Sequence, residues 1–143
     1  MNSVLGAWAY QGSRAAISKG QILNSQGNYI NSVRASDGKQ TWQAEIVGKH
    51  ATSGGQIFSP PAVGRDYLYL AGRAGYLIAV RQKDGSVGFS YSFEAPMTFQ
   101  PALANGNVYA GTSDGRLICL KTGSSDADGW YAWGGNAQHN KVQ

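Results

Sequence analysis

The chain has 143 residues, of which 14% are charged, with 20 glycines and a net charge of +4. Its basic residues are scattered from Arg14 to Lys141 without a run or a helix to gather them, which argues against a nucleic-acid surface, and no stretch approaches the roughly 20 apolar residues of a membrane span. A single cysteine excludes an internal disulfide, and no basic start followed by an apolar block marks a signal peptide. On these grounds the chain is expected to be cytoplasmic, a mature form or an excised fragment, with the compartment open.

In chain order, Leu5 to Tyr10 is the first predicted strand, within an orphan segment 1–13 that belongs to no unit of its own. Residues 14–50 then read as a four-stranded unit with strands at Arg14 to Ser18, Gln21 to Asn24, Tyr29 to Arg34 and Gln40 to Val47. A second unit occupies 57–94. Its apolar runs start at Leu68-Tyr69, continue at Leu77 to Val80 and end with Val87 to Phe93. A third, 98–123, lacks a recognisable fourth strand. Residues 124–143 form a Trp-rich tail.

The units are copies. PAVGRDYLYLAGRAGYLIAV at 61–80 and PALANGNVYAGTSDGRLICL at 101–120 are in phase after 40 positions. Units this short cannot bury their own apolar surface, so the chain is expected to stack them into one partial assembly over 1–143. Asp114-Gly115 between two apolar runs predicts a type I′ hairpin, with both central residues at positive φ. The third strands, Leu77 to Val80 and Leu117 to Leu120, are apolar without interruption and are therefore expected to be covered on both faces. Antiparallel meanders buried on both sides predict an all-β chain of about three β-propeller blades, four antiparallel strands each, against a β-sandwich as the alternative.

The residues also resemble a known family. SPPAVGRDYLYLAGRAGYLIAV and QPALANGNVYAGTSDGRLICL are similar to repeats of pyrroloquinoline-quinone-like propellers, the group that includes quinoprotein alcohol dehydrogenases and non-enzymatic relatives. The family's tryptophan-docking motif falls on Ser32, Arg34, Asp37, Gly38 and Trp42 in the first unit, and on Ala79, Arg81, Asp84, Gly85 and Phe89 in the second. The third unit has Cys119, Lys121, Thr122 and Gly123 without the aromatic. The resemblance implies structural docking by Trp42 and Phe89 against the neighbouring blade, with Gly38, Gly85 and Gly123 as the motif glycines. It also leans towards a periplasmic or extracellular location.

Three blades do not close a ring of four to eight. Two arrangements follow: a strand-exchanged homodimer of six blades, each chain's first strand completing the partner's last blade, or the carboxy-terminal piece of a longer propeller. Chemistry is sparse. The carboxylates fall in turns and near strand ends, His50 and His139 lie far from Cys119, and Cys119 reads as buried filler. Ser124, Asp126, Asp128 and Gly129 imitate the start of a calcium loop but lack its first carboxylate, and Gly135 stands where a glutamate should close it. The resembling dehydrogenases hold their quinone with paired cysteines and a calcium ligand set that is not recognisable here. No catalytic, cofactor or metal site is therefore expected.

What remains is interaction. Arg34, Arg81 and Lys121 share one place in the repeat and would form a basic ring at one end, attractive to an acidic partner. Trp130, Tyr131 and Trp133 in the tail either cap the outer edge of the last blade or make a platform for a carbohydrate or peptide. The chain thus reads as a non-catalytic module for protein interaction or self-assembly; the alternative is a fragment of a larger quinoprotein-like enzyme or a ligand-binding propeller.

Overall fold

The computed structural model describes residues 14–46, 58–132, 134–138 and 142. Eleven strands fall into three antiparallel sheets. The first holds β1 (Ala16–Ser18), β2 (Gln21–Gln26), β3 (Tyr29–Arg34) and β4 (Gln40–Glu45) in that order. The second holds β5 (Ala62–Val63), β6 (Tyr67–Ala71), β7 (Tyr76–Arg81) and β8 (Val87–Ser92). The third has β9 (Ala102–Ala104), β10 (Asn107–Gly111) and β11 (Leu117–Lys121), with no fourth strand among the described residues. The expected first strand, Leu5 to Tyr10, lies outside the described residues.

Register shows why three copies make a stack. The row Ala16, Leu23, Ser32, Trp42 crosses the first sheet, Ala62, Tyr69, Ala79, Phe89 the second, and Ala102, Tyr109, Cys119 the third. Cross-strand partners share a face and the next row points the opposite way. In the middle sheet both rows are sealed: Ala62, Ala79, Val63, Leu68 and Val80 are fully buried and Tyr69 nearly so. Each outer sheet seals one row. In the first, Ala16, Leu23 and Ser32 are buried while Ile17, a row away, is 40% exposed; in the third, Leu103 and Val108 are buried while Cys119 is exposed. The core therefore lies in two layers, one at each junction with the middle sheet.

Two sequence expectations fail on this point. Leu77 to Val80 is covered on both faces, but Leu117 to Leu120 alternates, with Leu117 77% exposed, because no further sheet covers that side among the described residues. Cys119 is accordingly a surface residue and not core filler. The hairpin expectation also moves. Positive φ at both central residues occurs at Lys19-Gly20, between the paired Ser18 and Gln21, and at Asn105-Gly106, between Ala104 and Asn107. These two have the type I′ signature. Asp114 keeps a negative φ, and only Gly115 of its turn is positive, because that loop is longer and closes by Thr112 N–H to the Arg116 carbonyl at 2.9 Å.

Candidate functional site: the two sheet junctions

The first junction is built around Trp42. The β3–β4 pairing slips by one residue between Ser32 and Val33, and the β7–β8 pairing slips at the equivalent step between Ala79 and Val80. Such a bulge twists the fourth strand and re-aims the side chain that follows, here Trp42 and Phe89. Trp42 lies across to the middle sheet, where its indole N–H donates to the Gln82 carbonyl at 2.8 Å. Its ring covers Gly85: a methyl group there would come within 2.6 Å of the ring, and Gly85 also has φ of +75°. Only glycine meets both demands.

Gln82, which sequence reasoning passed over, is the polar centre of this junction. It is 5% exposed, and each of its polar groups is used. Ser18 Oγ of the first sheet donates to Oε1 at 2.9 Å, and Nε2 donates to the carbonyls of Gly64 and Tyr67 at 2.9 and 3.3 Å. Its own N–H reaches the Asp66 carbonyl at 2.9 Å. That last bond recurs in every sheet, as Ala35 to Gly20 and Thr122 to Gly106. The backbone latch is thus common to the repeat, while the Gln82 side chain adds a bond to Ser18 of the neighbouring sheet.

At the second junction the aromatic does less. Phe89 is half-buried and packs on its own sheet, its ring centroid 6.2 Å from that of Tyr69. No atom lies within 4 Å of the position a Gly123 side chain would take, and the same is true of Gly38. The tail supplies the connection instead. Asp126, only 7% exposed, accepts from the Tyr69 hydroxyl at 2.8 Å and from the Asp66 N–H at 2.6 Å, one bond on each oxygen. Burial, and next the bond to Asp126, push the Tyr69 phenol well above its ordinary value. A side chain at Gly64 would collide with Asp126. Asp128 Oδ1 accepts from the Asn105 N–H at 3.0 Å. The stretch that imitates a calcium loop is therefore a clamp with its carboxylates committed to N–H and O–H donors, and no cluster of three potential metal-binding side chains occurs among the described residues.

Of the tail's aromatic residues, Trp130 lies away from the outer edge of the third sheet. Trp130 exchanges backbone hydrogen bonds with Leu103 of β9, at the edge opposite β11, and its side chain is 2% exposed. An indole so buried is no surface for a ligand, so Trp130 leaves the expected interaction set; Tyr131 stays, 63% exposed. Trp133 lies outside the described residues, as do His50 and His139. The three basic residues Arg34, Arg81 and Lys121 close β3, β7 and β11 and are all exposed. Arg34 pairs with Asp37 at 2.9 Å, and the Arg81 guanidinium sits 5.6 Å from the Tyr67 ring centre. Beside Arg81 a groove of about 470 Å³ is lined by Lys19, Gln21, Asp66 and Lys83 among others. Lys19 pairs there with Asp66 at 3.0 Å, an exposed bond that adds little stability.

Radially packed four-stranded meanders with a bulge-aimed tryptophan define the class as a β-propeller of the pyrroloquinoline-quinone-like type. A family model described as outer membrane protein assembly factor BamB matches residues 7–135, and the chain belongs to that family. The BamB of Legionella pneumophila (strain Paris) is 30% identical over 81 residues, covering 57% of this chain and 21% of that protein. Among solved structures, BamB from Moraxella catarrhalis superimposes with a TM-score of 0.62 at 16% identity, over 82% of this chain and 34% of that one. The Cps50 (Swd1) propeller domain of Myceliophteria thermophila gives 0.63 at 11% identity, over 80% and 35%. The chain thus spans about a fifth of the Legionella protein and a third of the Moraxella chain.

Proposed function

We propose that this chain is a non-catalytic module of an outer membrane protein assembly factor, acting by holding other proteins on a rigid β-scaffold in the periplasm. The observation that carries the reading is the family match over 7–135. The structure supports it physically: two of its buried polar side chains, Gln82 and Asp126, are spent on joining sheets. The surface offered to a partner is the end carrying Arg34, Arg81 and Lys121, with the groove beside Arg81. An acidic segment of a protein suits it, since three cations at equivalent places in the repeat add their fields.

The test uses the chain immobilised and exposed to a bacterial envelope extract. Components of outer membrane protein assembly should be retained, and the triple variant Arg34→Glu, Arg81→Glu, Lys121→Glu should lose most of them while keeping its circular dichroism. Equal retention by the variant would reject the basic end as the surface. Calcium and pyrroloquinoline quinone added together should leave the quinone absorbance unchanged; a saturable spectral shift would favour the quinoprotein reading.

A further inference from the structure

Two grooves meet at Lys19. On one side of it the groove of about 470 Å³ runs between the first and middle sheets, over Tyr67 to Arg81 and Lys83. On the other side a second groove, of about 330 Å³, continues past Arg65 to Ser125 and Asp128 in the tail. Lys19 lines both, so together they form one trench across the end of the sheets. Its backbone is unusual for a lysine. It has φ of +49°, in the left-handed region that asparagine fills at the equivalent turn, Asn105-Gly106. From there its ammonium crosses the junction to the Arg65 carbonyl and to Asp66 Oδ1.

The charges along this trench are uneven. Arg81 and Lys83 are exposed, and among the described residues neither enters an ion pair, whereas Arg34 and Arg116 are each tied to an aspartate. Asp66 is the carboxylate lining their groove, and Lys19 already holds it; Asp84, beside them in the chain, turns its carboxylate to Ser86. The Arg81 guanidinium is also set in place, because the Tyr67 ring 5.6 Å away restricts it without using its N–H donors. Such a fork binds a carboxylate through two parallel hydrogen bonds. Beyond Lys19 the balance changes. Arg65 shares its groove with Asp126 and Asp128, whose Oδ1 atoms already accept backbone N–H groups.

The geometry points to this trench as the binding site for an extended acidic segment of a partner protein, its carboxylates held by Arg81 and Lys83 and its uncharged continuation lying past Lys19 towards Ser125. This rests on the reading of the chain as a scaffold for other proteins and names what the scaffold grips. A carboxylate entering beside Lys19 competes with Asp66 for the same ammonium, so the pair at 3.0 Å opens as the segment settles. That exchange costs little, since both partners of the pair are more than half exposed. A nucleic acid suits the trench less well. Its phosphates past Lys19 would meet Asp128, and the half-buried Tyr67 gives Arg81 the ring face on which a base would stack.

Fluorescence anisotropy of a labelled peptide, Asp-Glu-Asp-Glu-Ser-Gly-Ser-Gly, tests it on the intact chain. Binding should saturate, and it should weaken as salt is raised. Arg81→Ala and Lys83→Ala should each weaken it at least about tenfold, and Arg81→Lys should fall between Arg81→Ala and wild type, because a point charge remains without the stacked fork. Asp66→Asn, which releases Lys19, should tighten binding about twofold to fivefold. Arg73→Ala, in the turn at the opposite end of the middle sheet, should change nothing. All four side chains are exposed, so the fold survives these changes. The proposal is overturned by an absence of saturable binding, by equal weakening in Arg73→Ala and Arg81→Ala, or by an Asp66→Asn protein that binds no more tightly. An oligothymidylate of about the same length that binds as tightly, with the same dependence on Arg81, overturns it too. If the peptide fails to bind while envelope components are still retained, the trench falls and the scaffold reading stands; a peptide bound as expected with nothing retained does the reverse.

Discussion

The two junctions flanking the middle sheet solve the same packing problem with different chemistry. Between the first and middle sheets, one residue carried by a strand does the joining: Trp42 fills the wedge, satisfies its N–H on Gln82 and closes over Gly85. Between the middle and third sheets Phe89 turns back onto Tyr69, and a loop residue, Asp126, ties the sheets by charge-assisted bonds. The first solution repeats with the blade and can be propagated. The second depends on a loop segment, Ser124 to Gly129, that lies outside the strands of the repeat.

The largest effect should come from Trp42→Ala. Truncating a packed tryptophan costs about 3 kcal/mol or more, and the buried Gln82 carbonyl loses its donor as well. Phe89→Ala should cost clearly less, because Phe89 has no partner sheet closing over it. Urea titrations of both variants check the ranking; equal losses would mean that the junctions differ in appearance only.

Next in size is the second junction, probed through Tyr69. Tyr69→Phe removes the hydroxyl bond to Asp126 and should cost about 1–2 kcal/mol at neutral pH. The pH dependence has a definite sign. The phenol's folded-state value is raised, by burial first and Asp126 second, so the folded protein favours the neutral form. Its contribution is complete below the unfolded value of about 10 and is lost as pH rises above it. Unfolding titrations at about pH 8 and about pH 11 should show wild type losing more stability than Tyr69→Phe. Parallel losses would remove Tyr69 from the clamp.

How much of this was legible beforehand divides along the same line. The 40-residue phase between Pro61 and Pro101 contains the sheets, and the apolar runs place β3 and β7 almost to the residue, because repetition and period-two packing are written locally. Trp42 and Gly85 were legible through the family motif. Asp126 was not: its partners, Tyr69 and the Asp66 N–H, lie 57 and 60 residues away, and a carboxylate in a Ser-Asp-Gly stretch looks like any solvated turn. Gln82 was hidden for a similar reason, its value residing in Ser18 of another sheet. The apolar run Leu117 to Leu120 misled because it describes a strand that a neighbour should cover, and that neighbour is outside the described fold.

The smallest effect sharpens the second junction at its other end. Arg116, in the turn between β10 and β11, donates from Nη2 to the Phe93 carbonyl of the middle sheet at 3.2 Å, and its Nε is held by Asp114 at 2.9 Å. The Arg116 bond first, then the Thr112 hydroxyl, hold the Asp114 carboxyl down to about 2. A depressed carboxylate stabilises the fold above its unfolded value near 4, and that contribution is lost as pH falls towards 2. Because both partners are in water, the gain is small and screened by salt. Asp114→Asn should therefore leave neutral stability almost unchanged and flatten the acid side of the stability curve between about pH 4 and about pH 2. Arg116→Ala should do the same and in addition free Phe93, which fluorescence quenching of a tryptophan placed there would detect. If Asp114→Asn alone frees Phe93 as fully, Asp114 is what positions the Arg116 tie; if it leaves Phe93 held, the guanidinium bridges the two sheets unaided.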